Sequence, residues 1–360
     1  MAKKVLIVDD SALVRRQLTE LISTLDMDID VAKNGKEAVE KATAMQYDVI
    51  TMDINMPVMD GIEAVRQIMQ IKPTAILMVS SLTTENASIT MDALDLGAID
   101  YISKPGTMNI GKVENSEDIL TKVRSLSRIP KRRLARPRAR PAQRERPAQR
   151  ERRARPQREE VVENTADSRD IDKVVLIGSS TGGPGLIEQI CASLPPNYKY
   201  PVCIVQHMPA QFTAAFADRL NRASSLTVHE SAQNMELLPG NVYVARGGVH
   251  MNFAKKTSGK IVIREDKDKG AQFFQPSVTE MMMSALEIFD GKNLVGVLLT
   301  GIGDDGADGM VELKKAGAYT LGESEESATV YGMPKEAYDR GGVSEQLDFM
   351  SILKKIATLK

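Results

Sequence analysis

Residues 174–184 have the sequence VVLIGSSTGGP, in which a short apolar run leads into a turn of glycine and hydroxyl residues. The amphipathic segment GLIEQICASL follows directly after it. A buried strand, a tight turn and a helix in this order form the first half of a βα unit. The stretch therefore predicts a parallel sheet covered by helices.

The same alternation occurs on both sides of this stretch. Before it, apolar runs such as VLIVDD at residues 5–10 and AILMVSS at residues 75–81 alternate with amphipathic segments. After it, the apolar runs include YPVCIVQHMP and LVGVLLTGIG. Both halves therefore predict α/β domains, and the second is expected to have a doubly wound, mixed or mostly parallel sheet. At 360 residues the chain is also too long for one ordinary core.

Residues between about 128 and 160 interrupt the pattern. They contain almost no apolar residue larger than alanine, and PAQRER is repeated in tandem. Such a segment cannot bury enough apolar surface to offset its ordering entropy, which predicts a disordered or partly extended linker. Its arginines could bind nucleic acid, but the absence of aromatic residues for base stacking favours a solvated tether. We expect one domain over 1–125, the linker over 126–170 and a second domain over 171–356.

The overall composition is that of a soluble globular protein, with a formal net charge of −1. Cys191 and Cys203 are too few for a disulfide scaffold, and neither lies in a metal-binding spacing. We expect both to be reduced, buried thiols in a cytoplasmic protein. Acidic residues follow the N-terminal apolar run at once, so no secretory signal is expected, and no apolar run is long enough to cross a bilayer.

Chemically active side chains follow several predicted strands of the first domain. They are Asp9 and Asp10 after VLIV, Asp53 at the end of DVITMD, Ser80 after AILMV, and Lys104 after YIS. The carboxyl ends of parallel strands meet at one edge of a sheet, so these side chains are expected to converge. Clustered carboxylates with a lysine and a hydroxyl suit Mg²⁺ and the transfer of a phosphoryl group to one carboxylate. The first two aspartates alone could instead cap a helix.

These residues, together with MPVMDG at residues 56–61, resemble the receiver domain of bacterial response regulators over roughly the first 120 residues. The resemblance implies a flavodoxin-like fold with five parallel strands and phosphorylation of Asp53. The implied Mg²⁺ ligands are Asp9, Asp10, Asp53 and the backbone carbonyl of Asn55. The implied phosphoryl-binding residues are Ser80 and Lys104, with Tyr101 as the aromatic residue that changes rotamer on activation.

The glycine turn after residue 177 could bind a phosphate or present a nucleophile. The dinucleotide-binding pattern G-x-G-x-x-G lacks its second glycine, where Ser180 stands, and a phosphate-binding P-loop would need a lysine. Residues 178–182 instead fit G-x-S-x-G, whose small residues let a strand turn sharply into a helix. The helix N-terminus would favour developing negative charge. Ser180 is therefore the candidate nucleophile, and a serine helix cap is the alternative.

A serine nucleophile needs a partner base, and the chain has three histidines. His229 lies in an alternating strand on its expected solvent side, and His250 follows two glycines in a segment that could be a loop. His207 ends the strand CIVQ at the sheet edge expected for Ser180, so we prefer it. The candidates for an orienting carboxylate are Asp304, Asp305 and Asp308, among which spacing does not choose. The chain order Ser, His, Asp differs from that of the α/β-hydrolases.

Four separated motifs, GSSTGGP, QHMP, LLTGIGDDGADG and EESATVYGMPKEA, resemble the catalytic domain of chemotaxis protein-glutamate methylesterases across nearly all of residues 171–350. The resemblance implies a nucleophile, a general base and an orienting acid, which are Ser180, His207 and Asp305. The implied oxyanion hole consists of the backbone N–H groups of Thr181 and Ile302. The family usually has methionine at position 302, and Gln275 stands where many members have a basic residue.

The resemblance also implies a function and partners. The enzyme would hydrolyse glutamate methyl esters, and deamidate glutamines, on the cytoplasmic helices of methylated chemoreceptors, with a histidine kinase of the chemotaxis pathway as phosphodonor. It implies Mg²⁺ in the receiver domain, no cofactor in the esterase domain, and a receiver that covers Ser180 until Asp53 is phosphorylated. We expect a cytoplasmic monomer that binds no nucleic acid and does not insert into membranes.

Two other classes of protein fit the sequence less well. A DNA-binding response regulator would need a helix-turn-helix output domain, whereas residues 171–360 are rich in predicted strands. A nucleotide-dependent oxidoreductase would need the missing glycine of the dinucleotide-binding pattern.

Overall fold

The computed structural model describes residues 2–81, 83–104, 113–134, 167–270 and 272–359. The central part of the predicted linker, residues 135–166 with both PAQRER repeats, lies outside these ranges. The strands are β1 (Lys3–Val8), β2 (Met27–Ala32), β3 (Val49–Asp53), β4 (Ala75–Ser80), β5 (Asp100–Ser103), β6 (Val174–Ser179), β7 (Val202–Gln206), β8 (Thr227–Glu230), β9 (Asn241–Val244), β10 (His250–Lys255), β11 (Ile261–Asp266), β12 (Leu294–Leu298), β13 (Tyr319–Glu323) and β14 (Glu345–Leu347).

Helices connect most of these strands. They are α1 (Ala12–Ile22), α2 (Gly35–Ala44), α3 (Gly61–Ile71), α4 (Thr84–Asp95), α5 (Val113–Leu126), α6 (Lys131–Leu134), α7 (Pro184–Ser193), α8 (Ala210–Ala223), α9 (Val278–Ile288), α10 (Ala307–Lys315), α11 (Met333–Asp339) and α12 (Phe349–Ala357). None of the helices in the described ranges is long and apolar enough to cross a membrane.

The first domain is a parallel five-stranded sheet in the order β2-β1-β3-β4-β5. This is the flavodoxin-like order, so the predicted fold of the domain is confirmed. Strands β3 and β4 are buried along their whole length, as expected when helices cover both faces of a parallel sheet. Side chains in the loops fix where helices begin, since Asn34 and Asp60 accept hydrogen bonds from the first turns of α2 and α3.

The second domain contains a seven-stranded sheet in the order β14-β13-β12-β6-β7-β9-β8, and its neighbouring strands run parallel. Strands β10 and β11 form a separate antiparallel hairpin. The chain runs outward from β6 through β7 on one side and resumes at β12 on the other. The predicted mostly parallel α/β fold is confirmed, and the reversal of direction beside β6 is where such sheets bind ligands.

The two domains pack against each other through α4 and α8. The ring of Tyr101 stacks on Phe212 of α8, with centroids 4.6 Å apart. Around this apolar contact, Arg219 of α8 forms ion pairs with Asp95 of α4 and with Glu188 of α7. The junction therefore lies beside the end of β5 in the first domain and beside β6 and β7 in the second.

The structure departs from the predicted disordered linker over 126–170 at both ends of that segment. Residues of α6 are helical, and the guanidinium of Arg133 lies 3.8 Å from the carboxylate of Glu325. At the other end, Ser168 is fully buried, and its hydroxyl donates a hydrogen bond of 2.8 Å to Glu236. These polar side chains find partners on the second domain, which fixes the ends of the segment.

Cys191 and Cys203 are free thiols, and both are fully buried in the second domain, as predicted. Burial raises the pKa of the Cys191 thiol to about 12 and also raises the pKa of Cys203. Both thiols are therefore protonated and unreactive at neutral pH.

Candidate functional site

The turn that follows β6 carries Ser180. The backbone N–H of Ser180 donates to the carbonyl of Thr300 at 3.0 Å, and the carbonyl of Ser180 accepts from Gln206 Nε2 at 2.9 Å. The hydroxyl of Ser179 donates to the other end of the same amide, Gln206 Oε1, at 2.6 Å. Gly182 has a φ of +81°, a region that favours glycine. The turn is therefore held to the ends of both neighbouring strands, β7 and β12.

His207 follows β7, and its Nε2 lies 2.8 Å from Asp305 Oδ2. Because the carboxylate accepts, Nε2 carries the proton and Nδ1 keeps its lone pair. This Nδ1 is buried and has no hydrogen-bond partner among the described residues. The ring of Phe274 stacks on the imidazole, with centroids 3.9 Å apart and planes 15° from parallel. The imidazole is thus fixed by a carboxylate at one nitrogen and by an aromatic face.

The carboxylate of Asp305, in the loop after β12, packs against the N-terminus of α9. Its Oδ1 accepts from the hydroxyl of Ser277 at 2.8 Å and from Thr279 N at 3.0 Å, and its Oδ2 accepts from Val278 N at 2.7 Å. Burial by itself would raise the pKa of this carboxyl, but the hydrogen bond and charge of His207 and the backbone N–H groups hold the pKa well below its ordinary value. Asp305 therefore stays ionised beside the imidazole at any physiological pH.

The other two candidate aspartates are held elsewhere. Asp308 and Asp304 accept hydrogen bonds from the guanidinium of Arg340 at 2.8 Å and 2.6 Å, and both are exposed. The geometry therefore separates Asp305 from its two neighbours, which spacing in the sequence does not.

The other two histidines do not contact Asp305. His229 lies in β8, with Nε2 3.3 Å from the side-chain oxygen of Asn241. His250 is buried at the start of β10, and its Nδ1 accepts from Ser277 N at 3.1 Å. His250 thus supports the segment whose serine hydroxyl binds Asp305.

A cavity of about 590 Å³ lies between the two domains at these strand ends. Its lining from the second domain includes Ser180, Thr181, His207 and Ile302. Ser180 and His207 thus share one cavity, although no hydrogen bond joins them; such bonds often form only when substrate is bound. Within the described parts of the chain, the backbone N–H groups of Thr181 and Ile302 have no acceptor.

The first domain closes one side of this cavity. Asp100 Oδ2 accepts a hydrogen bond of 2.5 Å from the hydroxyl of Thr181, in the turn that carries Ser180. Lys122 Nζ lies 3.2 Å from the same carboxylate oxygen and donates to the carbonyl of Tyr101 at 2.9 Å. Burial alone would lower the pKa of Lys122, but the charges of Asp100 and Asp118 raise it. A buried ionic cluster of the first domain therefore contacts the turn that carries Ser180.

A second group of polar residues lies at the carboxyl edge of the first sheet. Ligand oxygens of Asp9, Asp10 and Asp53 lie within 4.8 Å of one another. Lys104 Nζ is 2.7 Å from Asp53 Oδ2 and 3.3 Å from Asp9 Oδ2. Burial raises the pKa of both Asp53 and Asp9, and Lys104 offsets part of that effect. Several hard oxygen donors in one place suit a divalent cation such as Mg²⁺.

The remaining residues expected at this edge lie around the acidic group. Ser80 is buried at the end of β4, and its hydroxyl accepts from Thr90 Oγ1 at 3.2 Å. Asn55 lies in the turn after β3, where its side chain donates to Asn86 Oδ1 at 3.3 Å. The hydroxyl of Tyr101 is buried and has no partner in the described ranges.

Sequence reasoning missed three contacts of these sites. Phe274, which stacks on His207, precedes Gln275, which also lines the cavity. Ser277 could have been found, because Ser277 and Glu280 have the spacing of a helix-capping box. The contact of Asp100 has no local signal, since it crosses between domains.

Comparisons with known proteins agree with the fold and the motifs. The family model described as CheB methylesterase matches residues 175–356, and that described as response regulator receiver domain matches residues 5–112. Protein-glutamate methylesterase/protein-glutamine glutaminase 2 of Carboxydothermus hydrogenoformans is 45% identical over 99% of this chain and 98% of its own length. The protein-glutamate methylesterase/protein-glutamine glutaminase of Archaeoglobus fulgidus is 38% identical over 98% of this chain and 97% of its own.

A solved structure is also similar. The catalytic domain of Thermotoga maritima CheB methylesterase is 37% identical, and the match covers 52% of this chain and 98% of that domain with a TM-score of 0.50. The resemblance inferred from the four motifs and the strand-end carboxylates is therefore confirmed. The chain belongs to the CheB methylesterase family and carries a response regulator receiver domain before its catalytic domain.

Proposed function

We propose that this protein is a phosphorylation-regulated protein-glutamate methylesterase and protein-glutamine glutaminase of chemotaxis. Its substrates are glutamate methyl esters, and glutamines, on the cytoplasmic helices of chemoreceptors. The names of relatives that match nearly the whole chain support this activity. The observation that carries the proposal is the 2.8 Å contact between His207 Nε2 and Asp305, in a cavity that Ser180 also lines.

In the first half of the reaction, Ser180 Oγ attacks the ester carbonyl carbon while His207 Nδ1 takes its proton. Asp305 stabilises the resulting imidazolium through Nε2. The tetrahedral intermediate then collapses, the bond to the methoxy oxygen breaks, and His207 passes its proton to the departing methanol. The product of this half is an ester between the glutamyl group and Ser180.

In the second half, water attacks this ester as His207 takes a proton from it, and Ser180 regains its hydroxyl proton as it leaves. With glutamine as substrate, ammonia departs in place of methanol. The backbone N–H groups of Thr181 and Ile302 stabilise the oxyanion in both halves, and loss of one such donor costs about 10²- to 10³-fold in rate. A backbone donor does not depend on the side chain, so isoleucine in place of methionine at 302 leaves it intact.

In the receiver domain, Asp53 accepts a phosphoryl group from a histidine kinase of the chemotaxis pathway. The acidic group fits Mg²⁺, which would be held by Asp9, Asp10, Asp53 and the backbone carbonyl of Asn55. When bound, Mg²⁺ neutralises charge on the transferring group. Lys104, which lies 2.7 Å from Asp53, and Ser80 bind the phosphoryl oxygens.

Regulation follows from the position of the receiver domain over the cavity. The contact between Asp100 and Thr181 and the stacking of Tyr101 on Phe212 hold the closed arrangement. Phosphorylation of Asp53 shifts the population towards an open one, and a rotamer change of Tyr101 removes the stacking contact. The protein acts in the cytoplasm as a monomer.

Methanol release from membranes that contain methylated chemoreceptors tests this function. We expect release by the full chain to rise when a small phosphodonor and Mg²⁺ are added. We expect Ser180→Ala to abolish it and Asp53→Asn to remove the response to the phosphodonor. A serine-directed phosphonate should label Ser180.

Two results would contradict the proposal separately. Undiminished release by Ser180→Ala, or phosphonate labelling at a different residue, would remove the catalytic assignment. A normal phosphodonor response in Asp53→Asn would remove the regulatory assignment and leave the esterase in place.

A further inference from the structure

A buried carboxyl group behind the Ser180 turn has no role in the mechanism above. Glu323 ends β13, and its exposed fraction is 0%. Its Oε2 accepts from Thr300 N at 2.8 Å, and its Oε1 accepts from the hydroxyl of Ser327 at 2.9 Å. Burial raises the pKa of Glu323 to about 7, even though both hydrogen bonds lower it. Burying an acid this deeply costs folding free energy. The position of Glu323 therefore indicates a role in the site.

Thr300 connects this carboxyl group to the nucleophile turn. The carbonyl of Thr300 accepts from Ser180 N at 3.0 Å, and its hydroxyl donates to the carbonyl of Thr181 at 2.9 Å. Val330 N donates to the same hydroxyl at 2.8 Å. One residue therefore holds the backbone on both sides of the Ser180 hydroxyl, and its own N–H is held by Glu323.

Thr300 also lies two residues before Ile302. The segment from Thr300 to Ile302 leaves the end of β12 and enters the cavity lining. Gly301, between them, lets the two segments approach, since a Cβ there would lie 2.9 Å from Ser180 Cβ. A shift of Thr300 would therefore move both backbone segments that carry the proposed oxyanion donors.

We propose that Glu323 is a positioning residue for the esterase reaction. It fixes Thr300 and thereby sets the separation and direction of the Thr181 and Ile302 N–H groups. The inference rests on the function proposed above. A displacement of about 1 Å in such a site costs on the order of 10²-fold in rate. Since the oxyanion exists only after attack, the loss should appear in kcat and leave KM nearly unchanged.

The test compares two replacements of Glu323 in the full chain. Glu323→Met has nearly the same size but no acceptor for Thr300 N, so we expect kcat for methanol release to fall about tenfold or more, with KM within about twofold. Glu323→Gln keeps an oxygen for Thr300 N, and its amide can donate to the Ser327 hydroxyl. We expect Glu323→Gln to restore kcat to within about threefold of the wild-type value.

Thr320→Ala is the matched control. Its hydroxyl is buried on the same strand and bonds to the Ser344 hydroxyl at 2.9 Å. The hydroxyl also accepts from Ser344 N at 2.9 Å, so the variant loses two buried hydrogen bonds of β13 without removing any bond of Thr300, and we expect wild-type kcat. Thr300→Val provides a second route if Glu323→Met does not fold. It keeps the bond of Thr300 N to Glu323 but removes the hydroxyl that bonds to Thr181 and Val330, and it should lower kcat severalfold.

The rate at which a fluorophosphonate labels Ser180 separates this inference from the proposed function. Labelling needs the oxyanion donors but no receptor substrate, so it should fall in Glu323→Met and recover in Glu323→Gln. If the wild type labels at Ser180 but releases no methanol, the proposed substrate is wrong, while the labelling rates still test Glu323. Wild-type kcat and labelling in a folded Glu323→Met variant, or in Thr300→Val where Glu323→Met is unfolded, would overturn the inference. So would a folded Glu323→Gln variant as slow as Glu323→Met.

Discussion

The receiver site and the candidate esterase site occupy the same place in two similar folds, at the carboxyl edge of a parallel sheet, yet different groups hold their aspartates. In the receiver, three carboxylates lie within 4.8 Å, and the lysine side chain of Lys104 pairs with two of them. In the catalytic domain, Asp305 receives hydrogen bonds from two backbone N–H groups, a hydroxyl and an imidazole.

Folding shifts the pKa values of Asp53 and Asp305 in opposite directions. Burial raises the pKa of Asp53, whereas hydrogen bonds and the charge of His207 hold the pKa of Asp305 far below its ordinary value. The receiver carboxylates repel one another and gain from a bound cation. The charge of Asp305 is already fully compensated. Under the proposed function the charge of the receiver site changes while that of Asp305 stays constant. The first site is incompletely paired, and the second accepts hydrogen bonds from several donors.

The largest effect on kcat should come from removing the charge of Asp305. Asp305→Asn places an amide where a carboxylate now accepts from His207 Nε2. The proton is then no longer fixed on Nε2, and Nδ1 no longer keeps the lone pair that accepts a proton. We expect kcat to fall about 10³- to 10⁴-fold in the methanol-release assay. The matched control is Asp304→Asn, an exposed neighbour bound to Arg340, which should keep wild-type kcat. A loss of less than tenfold in Asp305→Asn would show that the acid is not needed for orientation.

A smaller effect is expected where the two regions meet. Asp100→Ala removes the acceptor of the Thr181 hydroxyl, a hydrogen bond to a buried charged group. We expect methanol release without phosphodonor to rise about tenfold, with a correspondingly smaller further increase after phosphodonor is added. Asp92→Ala is the control, since this exposed rim residue lies 3.5 Å from Arg219 and such pairs contribute little. Unchanged basal release in Asp100→Ala would contradict a closing role for this contact.

The aromatic contact at the base should matter less than the carboxylate. Phe274→Ala removes the ring that lies parallel to His207 and lets the imidazole tilt while its bond to Asp305 remains. Aromatic pairs contribute roughly 0.5–1.5 kcal/mol, so kcat should fall about two- to tenfold. Phe289→Ala removes one ring of the Phe253 pair outside the cavity lining and should leave kcat unchanged. Equal kcat in both variants would mean that the stacking does not orient the base.

The smallest effect is one of stability, and its sign should differ between the two sites. The folded state holds the proton of Asp53 more tightly than the unfolded chain does, so the charged carboxylate costs stability as pH rises above its ordinary pKa. With EDTA present, Asp53→Asn should raise the melting temperature at pH 7 by about 2–4 °C, and the gain should shrink towards pH 4.

Asp305→Asn should show the reverse. The pKa of Asp305 is lowered by folding, so its charge stabilises the native state above the ordinary aspartate pKa, and that contribution is lost as pH falls below it. The variant should therefore melt lower than the wild type at pH 7, with a smaller difference below pH 4. Calorimetry across this pH range measures both differences, and a shift of the same sign in the two variants would contradict the contrast between the sites.

The sequence was sufficient to predict the convergence of the receiver residues. Asp53 ends its strand and Asp9 and Lys104 directly follow theirs, so the rule that parallel strands share a carboxyl edge brings them together without any long-range contact. The same rule brought Ser180 and His207 to one edge of the second sheet. Strand ends are local features, which is why pattern and spacing identify them.

The contacts that complete the second site could not be found in this way. The contacts of Asp305 with His207 and with the start of α9, and the position of Arg340 beside the other two aspartates, distinguish Asp305 from its neighbours. All of them depend on packing between distant segments. The bond between Asp100 and Thr181 joins residues 81 positions apart in different domains. Likewise, α6 forms in an arginine-rich segment because Arg133 finds partners on the catalytic domain.

The two inaccessible thiols have a practical consequence. Because Cys191 and Cys203 are the cysteines of this chain and both are fully buried, maleimide dyes should not modify them in the native state. A pair of cysteines introduced at exposed positions, one on each domain, would then be the sole labelling sites. Energy transfer between two such dyes would follow the separation of the domains in real time as phosphodonor is added.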